Sequence, residues 1–243
     1  MILIVYLVII SYFLIGVLGF FFINRKRDAS EARKSWKKTF IYFVIINILC
    51  LSIVFNPVIF RCLAVFIIIR GFYELFKLFR ESGYQLKNLF FISVLIFAAF
   101  SSAFFIFSGM KKELIFYSFA ILSIFDSFSQ ITGQLWGRKK IIPTISPNKT
   151  VTGFIGGTIV AILSGLLLKG LIAASTADAI ILSAGVALFA FIGDSAASFY
   201  KRKHNVKDFS NLIPEHGGFL DRFDSLISGG SWVALLSLFA NFV

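Results

Sequence analysis

The chain has 243 residues, 58% of them hydrophobic and 15% charged, with a mean hydropathy of +0.89 and a formal net charge of +12. Soluble domains hold about 45–50% apolar residues, so a water-soluble globule is excluded and an integral membrane protein is expected. The positive charge is split into clusters between apolar runs, which argues against a nucleic-acid surface despite its size.

Apolar runs fall at 2–24, 39–57, 58–76, 88–109, 114–131, 152–173, 179–200 and 225–243. Crossing ~30 Å of hydrocarbon takes about 20 helical residues. The fold class expected is therefore all-α: a polytopic integral membrane protein of about eight transmembrane helices with cytoplasmic polar loops. The first run is too long for a signal peptide and precedes a basic segment rather than a small-residue cleavage site, so it reads as a retained helix. Asn56-Pro57 leaves only a tight turn between the second and third runs, and Arg61 lies inside the third, so 39–79 reads as a hairpin or a re-entrant segment. Cys50 and Cys62 have no metal-ligand spacing to the histidines and read as structural thiols.

The segments 25–38, 70–88, 132–151 and 200–224 carry seven, four, four and five Lys/Arg, 20 of the 24. Only Arg61, Lys111, Lys112 and Lys169 remain for the other side. The positive-inside rule then places those four segments in the cytoplasm and both termini outside. The short chain has no organelle-targeting segment, which points to a bacterial inner (cytoplasmic) membrane.

One membrane-embedded domain over 1–243 is expected. Residues 1–125 are rich in Phe, Ile and Leu and keep their polar residues almost entirely in loops. Residues 126–225 hold acids inside apolar runs, several glycines and two polar loops, and read as the catalytic half; 225–243 is the last helix.

The acids are the first chemical signal, because an ionised carboxylate in hydrocarbon costs several kcal/mol unless paired or metal-bound. Asp126 and Asp194 lie about five and six residues from the cytoplasmic ends of their helices, hence ~8–9 Å deep at 1.5 Å per residue. Asp221 and Asp224 open the last helix at i, i+3, which puts them on one side of it. Asp221 or Asp224 as a helix cap, and Asp126 bonded only to a neighbouring Ser, are the plainer alternatives. Oxygen-rich clusters hold hard cations, and Mg²⁺ takes one or two carboxylates plus substrate phosphates. A proton or cation pathway would instead distribute acids across the membrane, so the clustering favours phosphoryl or nucleotidyl transfer.

The second signal is Gly133-Gln-Leu-Trp-Gly137-Arg138-Lys139-Lys140, followed by Ser146-Pro147-Asn148-Lys149-Thr150 and Gly153-x-x-Gly156-Gly157. Ser146, Lys149 and Thr150 supply two hydroxyls and an ammonium just ahead of a helix, a phosphate-binding composition. A Walker A loop is excluded by the spacing. Arg138, Lys139 and Lys140 read as topological charges. The third signal is the island at 198–224, with five basic residues, four acids and the Gly217-Gly218 pair.

Together these residues resemble the phosphatidate cytidylyltransferases, also called CDP-diacylglycerol synthases. The resemblance rests on Asp126-Ser-x₅-Gly133, Ser146-Pro-Asn-Lys149-Thr150 with Gly153 and Gly156-Gly157, and Gly193-Asp194. It rests above all on Ser198-x-x-Lys201-Arg202-x₅-Asp208 through Pro214-x-His216-Gly217-Gly218-x-x-Asp221-Arg222-x-Asp224-Ser225. It covers about residues 126–225; the first 125 share only apolar helices.

The resemblance implies a Mg²⁺-dependent reaction in which CTP and phosphatidate give CDP-diacylglycerol and pyrophosphate. It assigns Asp194, Asp221 and Asp224 to the metal, and Lys201, Arg202, Arg222 and His216 to catalysis beside them. Ser146, Lys149, Thr150, Asp126, Asp208, Gly217 and Gly218 are assigned to substrate binding, the glycines by letting backbone approach the phosphates. Thr152 and Glu215 depart from the pattern. The partners implied are CTP, phosphatidate and the bilayer, with no nucleic acid; a homodimer is left open. A CTP-dependent polyprenol kinase, which would move the γ-phosphate, and a non-enzymatic lipid transporter are the competing readings. A CDP-alcohol phosphotransferase is disfavoured, since its Asp-Gly-x₂-Ala-Arg-x₈-Gly-x₃-Asp-x₃-Asp pattern is absent.

Overall fold

The computed structural model describes residues 28–213 and 217–239, with isolated positions at 6, 10, 11, 14, 17, 21 and 25. Most of the expected first span at 2–24, and His216, lie outside the described residues.

Seven helices carry the described chain: α1 (Ala29–Phe55), α2 (Pro57–Glu81), α3 (Lys87–Phe107), α4 (Lys112–Trp136), α5 (Val151–Leu168), α6 (Thr176–Lys203) and α7 (Leu220–Ser237). A 3-10 turn at Lys169–Leu171 extends α5. The segment 39–79 forms two continuous helices. Asn56 is extended at φ −155° and ψ 117°, as a residue before proline must be. Its side chain accepts from the Val58 N–H at 2.9 Å, so the same residue ends α1 and caps α2. Cys50 is buried in α1, Cys62 is exposed on α2, and both are free thiols.

Among the described residues, five segments are long and apolar enough to cross a bilayer: α1, α3, α4, α5 with its 3-10 extension, and α6. In the other two the charges leave no long charge-poor stretch: α2 carries Arg61, Arg70 and Glu74, and the 18-residue α7 carries Asp221, Arg222 and Asp224. Large apolar side chains such as Leu95 of α3 and Leu167 of α5 point outward, which fits a hydrocarbon surrounding. The structure is that of an all-α membrane protein with one addition. Within 132–151, expected as a polar cytoplasmic loop, β1 (Lys140–Ile142) and β2 (Ser146–Thr150) pair as an antiparallel ribbon. Pro147 lacks an N–H, but a two-stranded ribbon leaves half of its groups unpaired and tolerates it.

The helices of the second half approach closely through small residues. A Cβ at Gly157 of α5 would lie 2.9 Å from the Phe125 carbonyl oxygen of α4. A Cβ at Gly193 of α6 would overlap Ser228 Oγ and lie 2.9 Å from the Asp224 carbonyl oxygen of α7. The second contact brings Asp194, the next residue along α6, beside Asp224. The N-terminal half packs on this unit through α2 against α7 and α3 against α7. The aromatic cluster of Phe60, Phe104 and Phe107 fills that seam.

Candidate active site

Lys149, near the end of β2, is the residue that joins the ribbon to the acids. Its ammonium lies 3.0 Å from Asp194 Oδ2, donates to Ser195 Oγ at 2.8 Å and sits 4.7 Å above the Phe191 ring. The Asp194 side chain keeps 41% of its surface exposed, whereas that of Lys149 keeps 16%. Ser198 donates to Asp194 Oδ1 at 3.3 Å.

Asp224 is buried on the second turn of α7, with its Oδ1 accepting from the Ser225 N–H at 2.6 Å. The carboxylates of Asp126 and Asp224 each lie within Coulombic range of Asp194. Lys149 offsets Asp126, Lys201 offsets Asp224, and the exposed Arg222 offsets both. Three acids from α4, α6 and α7 and three cations thus share one region. Among the described residues no three acidic, histidine or cysteine side chains close round a single point as a complete metal cage would.

Asp221 joins that group through Lys201. Its side chain is 1% exposed and pairs with Lys201 at 2.5 Å. Its Oδ2 accepts from the backbone N–H groups of Phe209 at 2.8 Å and Gly218 at 2.7 Å. Lys201 is itself buried and lies over the Phe209 ring. Asp221 therefore ties both ends of the 208–218 segment to the end of α6.

The remaining expected residues divide in the same way. Thr150 caps α5, its Oγ1 accepting from the Gly153 N–H at 3.0 Å. Arg202 donates to the carbonyls of Ile145 at 3.1 Å and Val206 at 2.9 Å, lashing the ribbon turn to α6. Ser146 opens β2, half-buried. Asp208 is half-buried and packs against Gly217, whose φ of +83° suits glycine alone. The space a Cβ would take at Gly218 is filled by the carboxylate of Glu74 at 2.6 Å, and at Gly217 by Asp221 Oδ2 at 2.8 Å. Both glycines thus admit a protein carboxylate close to the backbone. His204, after the last turn of α6, packs against Tyr200 with ring centroids 4.6 Å apart and planes tilted by 55°, and burial lowers the pKa of its imidazole.

Sequence reasoning passed over Glu74, Ser195 and Phe191. Glu74 had a readable signal, since it is a carboxylate near the end of an apolar run, the feature that singled out Asp126 and Asp194.

Residues 111–239 match the cytidylyltransferase family. The chain is similar to the phosphatidate cytidylyltransferase of Staphylococcus saprophyticus, at 37% identity over 115 residues, covering 46% of this chain and 44% of that protein. It is also similar to the proteins of that name from Bacillus subtilis, 38% identical over 116 residues (46% of this chain, 43% of the relative), and Brucella abortus, 39% over 126 (51% and 46%). The chain thus spans somewhat under half the length of the curated relatives it matches.

Proposed function

From the premise that this chain belongs to the cytidylyltransferase family, we propose that it transfers the cytidylyl group of CTP to phosphatidate, giving CDP-diacylglycerol and pyrophosphate. The observation that carries the reading is the meeting of Lys149, Asp194 and Asp224, brought together by the ribbon and by the Gly193 contact. The names of the bacterial relatives agree with it.

The chemistry needs little proton transfer. A phosphate monoester has a second pKa near ~6, so the phosphatidate oxygen is already largely ionised at neutral pH. It attacks the α-phosphorus of CTP, the bond from that phosphorus to the bridging oxygen of the β-phosphate breaks, and pyrophosphate leaves with the electron pair. The barrier is dominated by bringing anion to anion and aligning them. In this reading Lys149 and Arg222 receive phosphate oxygens, and the packed α6–α7 pair holds the acids in register.

The donor set fits Mg²⁺, which usually takes one or two carboxylates and completes its shell with water and substrate phosphates. Asp194, accessible, and Asp224 beside it would hold it, and the ion would supply charge relief to the attacking and leaving phosphates. We assign Asp221 to loop anchoring, because its oxygens already serve Lys201 and two backbone donors. Lys149→Ala should raise the KM for CTP or lower kcat by about ten- to a hundredfold, as roughly 1.5–3 kcal/mol of charge-assisted hydrogen bonding is lost. Steady-state kinetics with each substrate varied in turn check this. A defect confined to phosphatidate would move Lys149 to the lipid phosphate.

The membrane arrangement is part of the same proposal: about eight spans, with the site on the cytoplasmic side of a bacterial inner membrane. The 20-to-4 distribution of Lys/Arg supports it. A single cysteine at Asn148 or Asn205, in a chain without Cys50 and Cys62, should react with an impermeant thiol reagent only after cells are opened. Labelling of intact cells from outside would invert the arrangement.

A further inference from the structure

Helix α7, which carries Arg222 and Asp224, begins without a cap of its own. Its N-cap residue is Phe219, with no side-chain hydrogen bond to offer. Yet the first N–H groups of any helix need acceptors, and a buried start without them is costly. The acceptor here comes from the other half of the chain. Glu74 of α2 is 0% exposed; its Oε1 accepts from the Phe219 N–H at 3.0 Å and Ser210 Oγ at 2.8 Å, and its Oε2 accepts from the Leu220 N–H at 2.7 Å. The nearest cation is Arg70, at 3.9 Å. The negative charge also lies where the helix dipole favours it.

Two further contacts make this a clamp rather than a chance pairing. Gly218 has no Cβ, and one would lie 2.6 Å from Glu74 Oε1. Asp221, the residue after Leu220, takes the N–H of Gly218, the residue before Phe219. The backbone of 218–220 is therefore held between two buried carboxylates, Glu74 and Asp221. Tyr200 of α6 donates to the Leu75 carbonyl at 3.0 Å, fixing α2 to the helix that bears Asp194.

We propose that Glu74 is a positioning residue for the reaction assigned above: it caps α7 from α2 and so sets the placement of Arg222 and Asp224 against Asp194. The inference rests on the cytidylyltransferase reading. It gives the N-terminal helices α1–α3, which lie outside the residues that match the family, a defined part in it. A glutamine at this position presents an NH₂ where one of the two backbone donors needs an acceptor, so Glu74→Gln breaks the cap while keeping the volume.

The test uses the full chain in detergent or proteoliposomes. Glu74→Gln should lower kcat at least tenfold, with the KM for CTP changed by less than threefold. Amide hydrogen exchange in peptides covering 217–223 should speed up at least tenfold while α4 and α5 keep their protection. Gly218→Ala, which pushes on the same contact from the other side, should produce the same pair of effects, and the double variant should be little worse than either single one. Wild-type kcat with wild-type exchange in Glu74→Gln would overturn the proposal. So would a uniform loss of protection with kcat per folded molecule unchanged, which is the mark of a merely structural carboxylate. Should Glu74→Gln not accumulate, Gly218→Ala decides by the same two readouts. If the wild-type protein makes no cytidylyl lipid from CTP, the assigned reaction fails, whereas the exchange measurement still decides whether Glu74 holds the start of α7.

Discussion

Asp194→Asn and Asp224→Asn are each expected to lower turnover by more than about a hundredfold, since losing even an outer-shell partner of a metal ligand costs ~10–100-fold. The substitution keeps the shape of the side chain and removes an anionic oxygen from the α6–α7 seam. In Asp194→Asn the fold should persist. That side chain is 41% exposed and its partner Lys149 remains close to Asp126, so no charge is stranded. Measured together, kcat should collapse and the melting temperature should stay within a few degrees. Near-normal turnover of Asp194→Asn at ordinary Mg²⁺ would remove this residue from the metal site.

The buried pair should show its effect in stability as well as in turnover. Lys201 and Asp221 have side chains 9% and 1% exposed, and deleting one member of a buried ion pair costs about 3–5 kcal/mol because the other charge is left uncompensated. Against a total stability of roughly 5–15 kcal/mol, Asp221→Asn or Lys201→Met should lower the melting temperature by on the order of 10 °C. Asp221→Asn should be the worse of the two, because it also weakens acceptance from the Phe209 and Gly218 N–H groups. Thermal unfolding in detergent separates the two acids: Asp194 governs turnover, Asp221 governs stability and turnover together. An Asp221→Asn protein that melts normally, is inactive, and regains activity at high Mg²⁺ would return Asp221 to the metal.

How much of this could be read from the sequence varies with the range of the interaction. The turn at Asn56-Pro57, the start of α7 at its acids and the apolar runs were legible, because each follows from neighbouring residues. The special standing of Asp194 was legible too, since a carboxylate among glycine, serine and alanine in an apolar run is costly unless a cation meets it. Thr150 and Arg202 were recognisable as important polar residues, but their partners, the Gly153 N–H and the Ile145 carbonyl, are main-chain groups that carry no side-chain signature. Glu74 is the extreme case: its acceptor role depends on backbone donors 145 and 146 positions away. Asp221 shows the converse. Its place in a motif marks it as important, whereas its bonds to Lys201 and to the Phe209 and Gly218 N–H groups are visible only in the fold.

The central claim is that the α-phosphate of CTP, with its cytidine, passes to a lipid phosphate. It is tested most directly with two samples of CTP, one labelled at the α-phosphate and one at the γ-phosphate, each incubated with the purified protein, phosphatidate and Mg²⁺. The account predicts α-label in the lipid phase, dependent on phosphatidate, and γ-label released as water-soluble pyrophosphate. Entry of γ-label into lipid, with α-label left in CDP, would contradict it and identify a kinase.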